Sequence, residues 1–342
     1  MSCRSLISAL LLLAGAPLPA QARDLTIALR EGGWVDGLRA VFFQPFTAAT
    51  GLPLNAQLIW DGRTENLRTH LKEDTAGWDV ILTNTPALAA GCDDGFLEKL
   101  DWPAIGGKEH YLPQAVSDCG VGAFLAASVL AWDREKFPVT PGWSEFWDVA
   151  KVPGKRGLSR NPRGTLEFAL LADGVALGDV YKLMRTADGV DRAFRRLDQL
   201  RAFIVWWQTE AEAVRLLGSG EVLMTSAAFA TIAAANRANR QKFGVQWAGG
   251  LARIQHWAIV KGSPNLRQAQ QFLYFAGTAA IQVRLAGYGG LAKGVAELRS
   301  PEAQEGLVSA PGNLAALLAV DEGFWREQGD KLDTRFAAWL DR

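Results

Sequence analysis

Reactive and metal-binding side chains are scarce in this 342-residue sequence, which has three histidines, three cysteines and four tyrosines. The histidines, His70, His110 and His256, are far apart in sequence, so a His-rich metal site is not expected. Iron capture through Tyr and His ligands has few candidates for the same reason. An excess of charge is also missing, with 36 Lys+Arg against 36 Asp+Glu, which argues against a general nucleic-acid binder. Beyond the N-terminal segment no run of about 18 apolar residues offers a membrane span. Catalytic signatures are absent too. There is no G-x-S-x-G elbow, no G-x-x-x-x-G-K-S/T phosphate loop and no H-E-x-x-H. Gly218-Ser219-Gly220 reads as a turn, Gly120-Val-Gly122 lacks a third glycine, and Asp93-Asp94 reads as a solvated acidic turn. No enzyme, metal or cofactor chemistry is therefore expected.

The composition, 21% charged and 49% hydrophobic, is that of a folded globular chain, and this length favours two domains over one core. Tryptophan is abundant, 13 against four tyrosines. Trp recurs in ligand pockets and interfaces.

Met1–Ala22 has a basic n-region at Arg4, an apolar run from Leu6 to Ala14 and a small-x-small site at Ala20-Gln21-Ala22. It reads as a secretory signal cleaved near Ala22, with a buried N-terminal helix as the competing reading. Removing Arg4 leaves a net charge of 35 − 36 = −1. Two cysteines remain, Cys92 and Cys119. In an oxidising compartment they are expected to form one disulfide closing a 28-residue loop, the alternative being two buried thiols.

Strands are expected over Asp24–Leu29, Leu54–Ile59 and Trp78–Leu82, with helices over Val35–Thr50, kinked at Pro45, and over Glu65–Glu73. This β-α-β-α-β order implies a parallel sheet covered by helices. The middle of the chain is mainly helical. A strand at Glu221–Thr225 precedes an Ala-rich helix at Phe229–Asn239, and a strand at Trp257–Val260 precedes a helix at Leu266–Gly277.

Several segments carry a family resemblance. Phe43–Gly51 (FQPFTAATG), Gly77–Ile81 (GWDVI), the paired-cysteine segments Gly91–Asp101 and Cys119–Gly122, and Phe146–Leu158 with Leu166–Val175 resemble the spermidine/putrescine-type periplasmic binding proteins of ABC importers. The similarity continues through Trp206-Trp207, Gly220–Thr225 and Trp257–Asn265. The resemblance implies an α/β, type II periplasmic binding fold, in which two α/β lobes are joined by crossover strands around a ligand cleft. Lobe one would take residues 23–128 plus 251–342, C-terminal helices included, and lobe two 129–250. It further implies a monomer in the periplasm that captures a small-molecule ligand and delivers it to an importer permease in the inner membrane. A ligand sensor docking a membrane receptor is the alternative role.

The sequence departs from the polyamine pattern where ligands would bind. Arg253 and Gln255 stand where acids are expected, Arg30 replaces an aromatic ahead of Trp34, and Thr225–Ala230 loses a Tyr and an Asn. Arginine presents a planar fork suited to carboxylate or phosphate. The pocket is therefore expected to take an anionic or zwitterionic organic solute, with putrescine or spermidine as the alternative. In this reading Arg30 and Arg253 clamp the acid and Trp34, Trp207 and Phe229 form apolar walls. Thr83, Asn84, Ser226 and Gln255 supply hydrogen bonds. Glu167, or Glu210 after Trp206-Trp207, would hold an amine if it faces the cleft. The competing roles are surface charge or ion pair for each Arg, core packing for each Trp and an exposed helical position for Glu167. Trp34, Trp60 and Trp207 are the tryptophans left as pocket candidates once scaffold positions are set aside.

Overall fold

The apolar stretch after Arg23 forms strand β1 (Leu25–Arg30), which pairs in parallel with β2 (Leu54–Trp60) and β3 (Val80–Asn84). The computed structural model describes residues 23–30, 35–60, 69, 77–239, 242–285, 287–300 and 306–342. The expected signal (1–22), Trp34 and nearly all of the expected Glu65–Glu73 helix lie outside them. β1 is apolar on both faces because both are covered, Ile27 and Leu29 entering one hydrophobic cluster and Ala28 another. Buried Asp79 anchors the start of β1. It accepts the Thr26 N–H at 2.8 Å, Arg23 at 2.7 Å and the Asn265 amide at 3.0 Å.

The helix expected over Val35–Thr50 divides into Val35–Leu38, a π-turn over Arg39–Phe43 and Gln44–Thr50. Pro45 has no N–H to donate to the carbonyl four residues back, so the ladder widens ahead of it. Gly51 ends the helix at φ +70°.

Two long strands, β4 (Val121–Asp133) and β8 (Phe243–Ile259), pair antiparallel along most of their length. The sequence predicts a strand only over Trp257–Val260 and misses the rest of β8. Its pattern is broken at Gly249-Gly250, where the register passes from Leu130↔Gln246 to Ser128↔Leu251 and residues 247–250 bulge out. Gly249 is there at φ +73°, and a Cβ on it would meet the Trp143 ring at 2.7 Å.

β5 (Arg156–Ser159), β6 (Ile204–Trp207) and β7 (Met224–Ala228) complete the second half of the sheet, and β9 (Leu318–Ala319) pairs with β8. The strand order is β2-β1-β3-β8-β4-β7-β5-β6, with β9 off this path. The strand expected at Glu221–Thr225 lies three residues later, because Val222 and Leu223 bond back to Leu216 and Lys155 in a turn. The helix Phe229–Asn239 occupies its expected residues.

The described part of the chain is thus mixed α/β on a single curled sheet. One large cluster gathers around Phe42, Phe46, Trp257 and Phe272. A second gathers around Trp143, Phe146, Phe168 and Phe194. The C-terminal helix Glu322–Leu340 buries Phe324, Trp325, Phe336 and Trp339 in the second cluster, although the sequence reading grouped the C-terminal helices with the first segment. Most described tryptophans, including Trp78, Trp143, Trp147, Trp257, Trp325 and Trp339, are buried scaffold. No helix among the described residues is long and apolar enough to cross a membrane.

Cys92 and Cys119 form the expected disulfide, with Cα atoms 5.7 Å apart and a sequence separation of 27. The loop-entropy relation assigns such a bridge about 3–4 kcal/mol. Replacing both cysteines by serine should lower the unfolding free energy by that amount in urea titrations; a loss below about 1 kcal/mol would show that the bridge does not restrain the unfolded chain.

Candidate functional site

The registers bring two sets of strand ends together. β3 ends at Asn84, opposite Gln255 of β8. β7 runs the other way and ends at Ala228, opposite Ser128, which itself faces Leu251. The carboxyl ends of the two sets therefore converge on residues 251–255 of β8, and such ends are where open α/β sheets place ligands.

A cavity of about 360 Å³ opens at this level on the side of the second set. Its walls are Ser159 at the end of β5 with Asn161 and Arg163–Thr165 of the turn beyond it, Trp207 at the end of β6 with Gln208 and Glu210 beyond it, Ser226 and Ala227 of β7, and Ser128 and Arg253 on the long strands. Each wall has a local cause. Asn161 caps the following helix by accepting the Arg163 N–H at 2.8 Å. Gly164 then turns at φ +93°, a conformation that glycine adopts without steric cost. Thr209 and Glu212 form a capping box that starts the next helix, placing Glu210 in its first turn.

Glu210 and Arg253 give the cavity two half-buried charges of opposite sign. The Glu210 carboxylate accepts the Ala228 N–H at 2.7 Å. Burial pushes its pKa up, with the Ala228 hydrogen bond and the Arg253 charge pulling the other way. Tyr288 is pushed up to about 12 by burial, with the Glu210 charge adding to the shift. Arg253 Nε and Trp207 Nε1 are buried, and no described residue accepts from either. Donors in that position call for an acceptor supplied from outside the fold.

Of the residues expected from sequence, Trp207, Ser226 and Arg253 share this cavity, and so does Glu210, the conditional amine-holding candidate. Gln255 lies on the same face of β8 two residues further on, buried and in register with Asn84 and Phe124. Asn84 caps the helix Thr85–Asp93 by accepting the Ala87 N–H at 3.0 Å, and Thr83 is buried beside it. Phe229 packs on Trp247 with ring centroids 4.6 Å apart. Glu167 neither lines the cavity nor lies exposed. It is fully buried with three donors of its own. The backbone of Arg30 ends β1 opposite Trp60; Trp34 lies outside the described residues. Asn161, Gly164, Thr165, Gln208 and Tyr288 were not foreseen. The Asn-Pro-x-Gly turn after a strand was the available signal for the first three.

A second cavity, of about 400 Å³, is lined by Ala252, Ile254 and His256, beside Thr85, the disulfide and Glu322, and Arg253 borders it as well. Thr85 Oγ1 is 3.2 Å from His256 Nε2. The carboxylates of this cavity are either exposed, as Asp93 and Asp118 are, or already paired, as Glu322 is with Arg163, so the smaller cavity, where Glu210 shares the wall with Arg253, is the better site for a polar solute. Burial holds the His256 imidazole down to about 4, against an ordinary value of 6.5. Between those values the unfolded chain takes up a proton that the folded chain refuses, so this contribution to stability is whole above the upper value and declines as pH falls. His256→Gln should reduce the stability lost between about pH 7.5 and 4.5 by about 2–3 kcal/mol. Denaturant titrations at both pH values test this, and an unchanged difference would contradict it.

A family model for bacterial extracellular solute-binding proteins matches residues 42–308. The chain is 36% identical over 334 residues to a gamma-aminobutyric acid-binding protein of Pseudomonas aeruginosa, covering 96% of this chain and 94% of that one. The structure of an ABC transporter substrate-binding protein from Bradyrhizobium japonicum superposes with a TM-score of 0.79 at 29% identity, over 93% of this chain and 99% of the other. That of a GABA receptor gives 0.80 at 27% identity, over 93% and 98%.

Proposed function

The chain belongs to the bacterial extracellular solute-binding protein family, and on that premise we propose that it captures a small zwitterion, of the ω-amino acid kind, for an ABC importer. As a member of that family it binds a solute and does not transform it. The observation that carries the ligand assignment is the pairing of Arg253 and Glu210 on one cavity. The guanidinium suits a carboxylate and the half-buried Glu210 suits an ammonium group. Trp207 covers the short apolar stretch between them. The relatedness to a gamma-aminobutyric acid-binding protein points the same way. A polyamine would place a second ammonium against Arg253, which disfavours the alternative.

In this reading lobe one comprises residues 23–128 and the return after 251, and lobe two comprises 129–250. We assign the Glu322–Leu340 helix to lobe two, a reading supported by its packing in the second cluster. β4 and β8 are the crossovers. Closure on the solute is a hinge motion stabilised by contacts from both sides. The first side would contribute Arg30, Asn84 and Gln255. Its loaded form would meet a permease at the inner membrane after export to the periplasm.

Calorimetry with 4-aminobutanoate, putrescine and succinate tests the assignment. 4-Aminobutanoate should bind the wild type best. Arg253→Gln and Glu210→Gln should each weaken it by about 2–3 kcal/mol, a loss of roughly 30- to 150-fold. Unchanged affinity in both variants would remove the pair from the site, and tight putrescine binding without 4-aminobutanoate binding would overturn the zwitterion.

A further inference from the structure

Glu167 has three hydrogen-bond partners, and all three are donors. Its Oε2 accepts the Gly164 N–H at 2.8 Å, and its Oε1 accepts the Tyr181 hydroxyl and the Trp325 indole N–H, each at 2.8 Å. A carboxylate can accept from all three at once. An amide of the same shape would turn its own N–H₂ towards at least one of them. One of the three donors, Gly164, belongs to the cavity wall; another, Trp325, stands 158 residues away in the C-terminal helix.

That helix grips the same turn a second time. Its Glu322 pairs with Arg163 at 2.8 Å, and the Arg163 guanidinium lies 5.2 Å from the Trp325 ring centre. Just ahead of it, β9 pairs with Leu251 and Ala252 on β8, next to Arg253. The C-terminal segment therefore spans from the strand that presents the arginine to the turn that faces it. The turn itself is left-handed at Gly164, with a peptide orientation that local helix geometry does not fix. The hydrogen bond to Glu167 fixes it.

We propose that Glu167 and Trp325 are positioning residues of the solute site. They hold the backbone of Arg163–Thr165 at its distance from Arg253, and so set solute affinity from behind the wall without touching the solute. The choice of solute in the test rests on the zwitterion reading; the positioning itself does not.

Trp325→Phe keeps the ring and removes the donor, and Glu167→Gln keeps the shape and removes one acceptor. Trp339→Phe is the control: Trp339 shares the Glu322–Leu340 helix with Trp325 but lies far along it from the turn, and the variant loses an indole hydrogen bond of 2.7 Å to Asp198 of the helix Ala187–Leu200. Amide hydrogen exchange of the 163–168 segment in the solute-free protein and calorimetry with 4-aminobutanoate are the readouts. Trp325→Phe and Glu167→Gln should speed exchange in that segment and weaken 4-aminobutanoate about tenfold, the size expected for one lost hydrogen bond at the wall. Trp339→Phe should lower the melting temperature while leaving both readouts as in the wild type. If Glu167→Gln does not fold, Trp325→Phe decides. If the wild type ignores 4-aminobutanoate, the zwitterion reading fails and exchange alone decides the positioning. Wild-type exchange in Trp325→Phe, or the same acceleration in Trp339→Phe, would overturn the proposal.

Discussion

β4 and β8 run antiparallel from Val121↔Trp257 to Asp133↔Phe243, and the other strands attach on either side of this pair. β3 attaches to β8 near one end, through Val80–Asn84, and β7 attaches to β4 near the other, through Met224–Ala228. Because β8 is antiparallel to both β3 and β4, β3 and β7 run in opposite senses, and their carboxyl ends meet at mid-pair. The meeting point requires a break in regularity, which the bulge at residues 247–250 supplies. Each hydrophobic cluster packs around its own stretch of the long strands. Residues 251–255 lie where the two meet, and Arg253 is one of them.

Placing charge there carries an electrostatic cost. A half-buried carboxylate and a half-buried guanidinium each lose part of their hydration, and the carboxylate recovers some of it through the Arg253 charge and the Ala228 N–H. A fold with no task at this position would be as well served by apolar side chains. Retaining opposite charges, with an indole donor and an Arg Nε lacking protein acceptors, suits a site completed by a dipolar solute. Glu167 shows the contrasting case. It is more deeply buried, yet every donor it needs is provided by the chain, so it serves architecture and leaves solute contact to its neighbours.

Much of the first half of the sheet was legible in the sequence. A run such as Leu-Thr-Ile-Ala-Leu, buried on both faces and followed by a helical period, has few alternatives. The helix Phe229–Asn239 and the disulfide were legible for similarly local reasons. β8 was not, because its glycines and its Arg, Gln and His hide the period of a strand whose burial comes from partners far away in the chain. The tryptophan count misled in part. Most of the described ones are scaffold, and Trp207 is the expected candidate that lines the cavity. Arg253 stood out because of where it fell against a familiar pattern. Glu167 looked equally promising, but whether a helical Glu faces a cleft or a core depends on which helix packs behind it. Here that helix begins 155 residues later, at Glu322.

The central claim is that a single cavity reads both charges of its solute. Calorimetry comparing 4-aminobutanoate with butanoate and with n-butylamine isolates that claim, since each analogue keeps the chain and one charge. The account predicts binding of 4-aminobutanoate and a loss of at least about a hundredfold for either analogue, because each leaves one half-buried charge without its partner. Equal affinity for n-butylamine or for butanoate would contradict it.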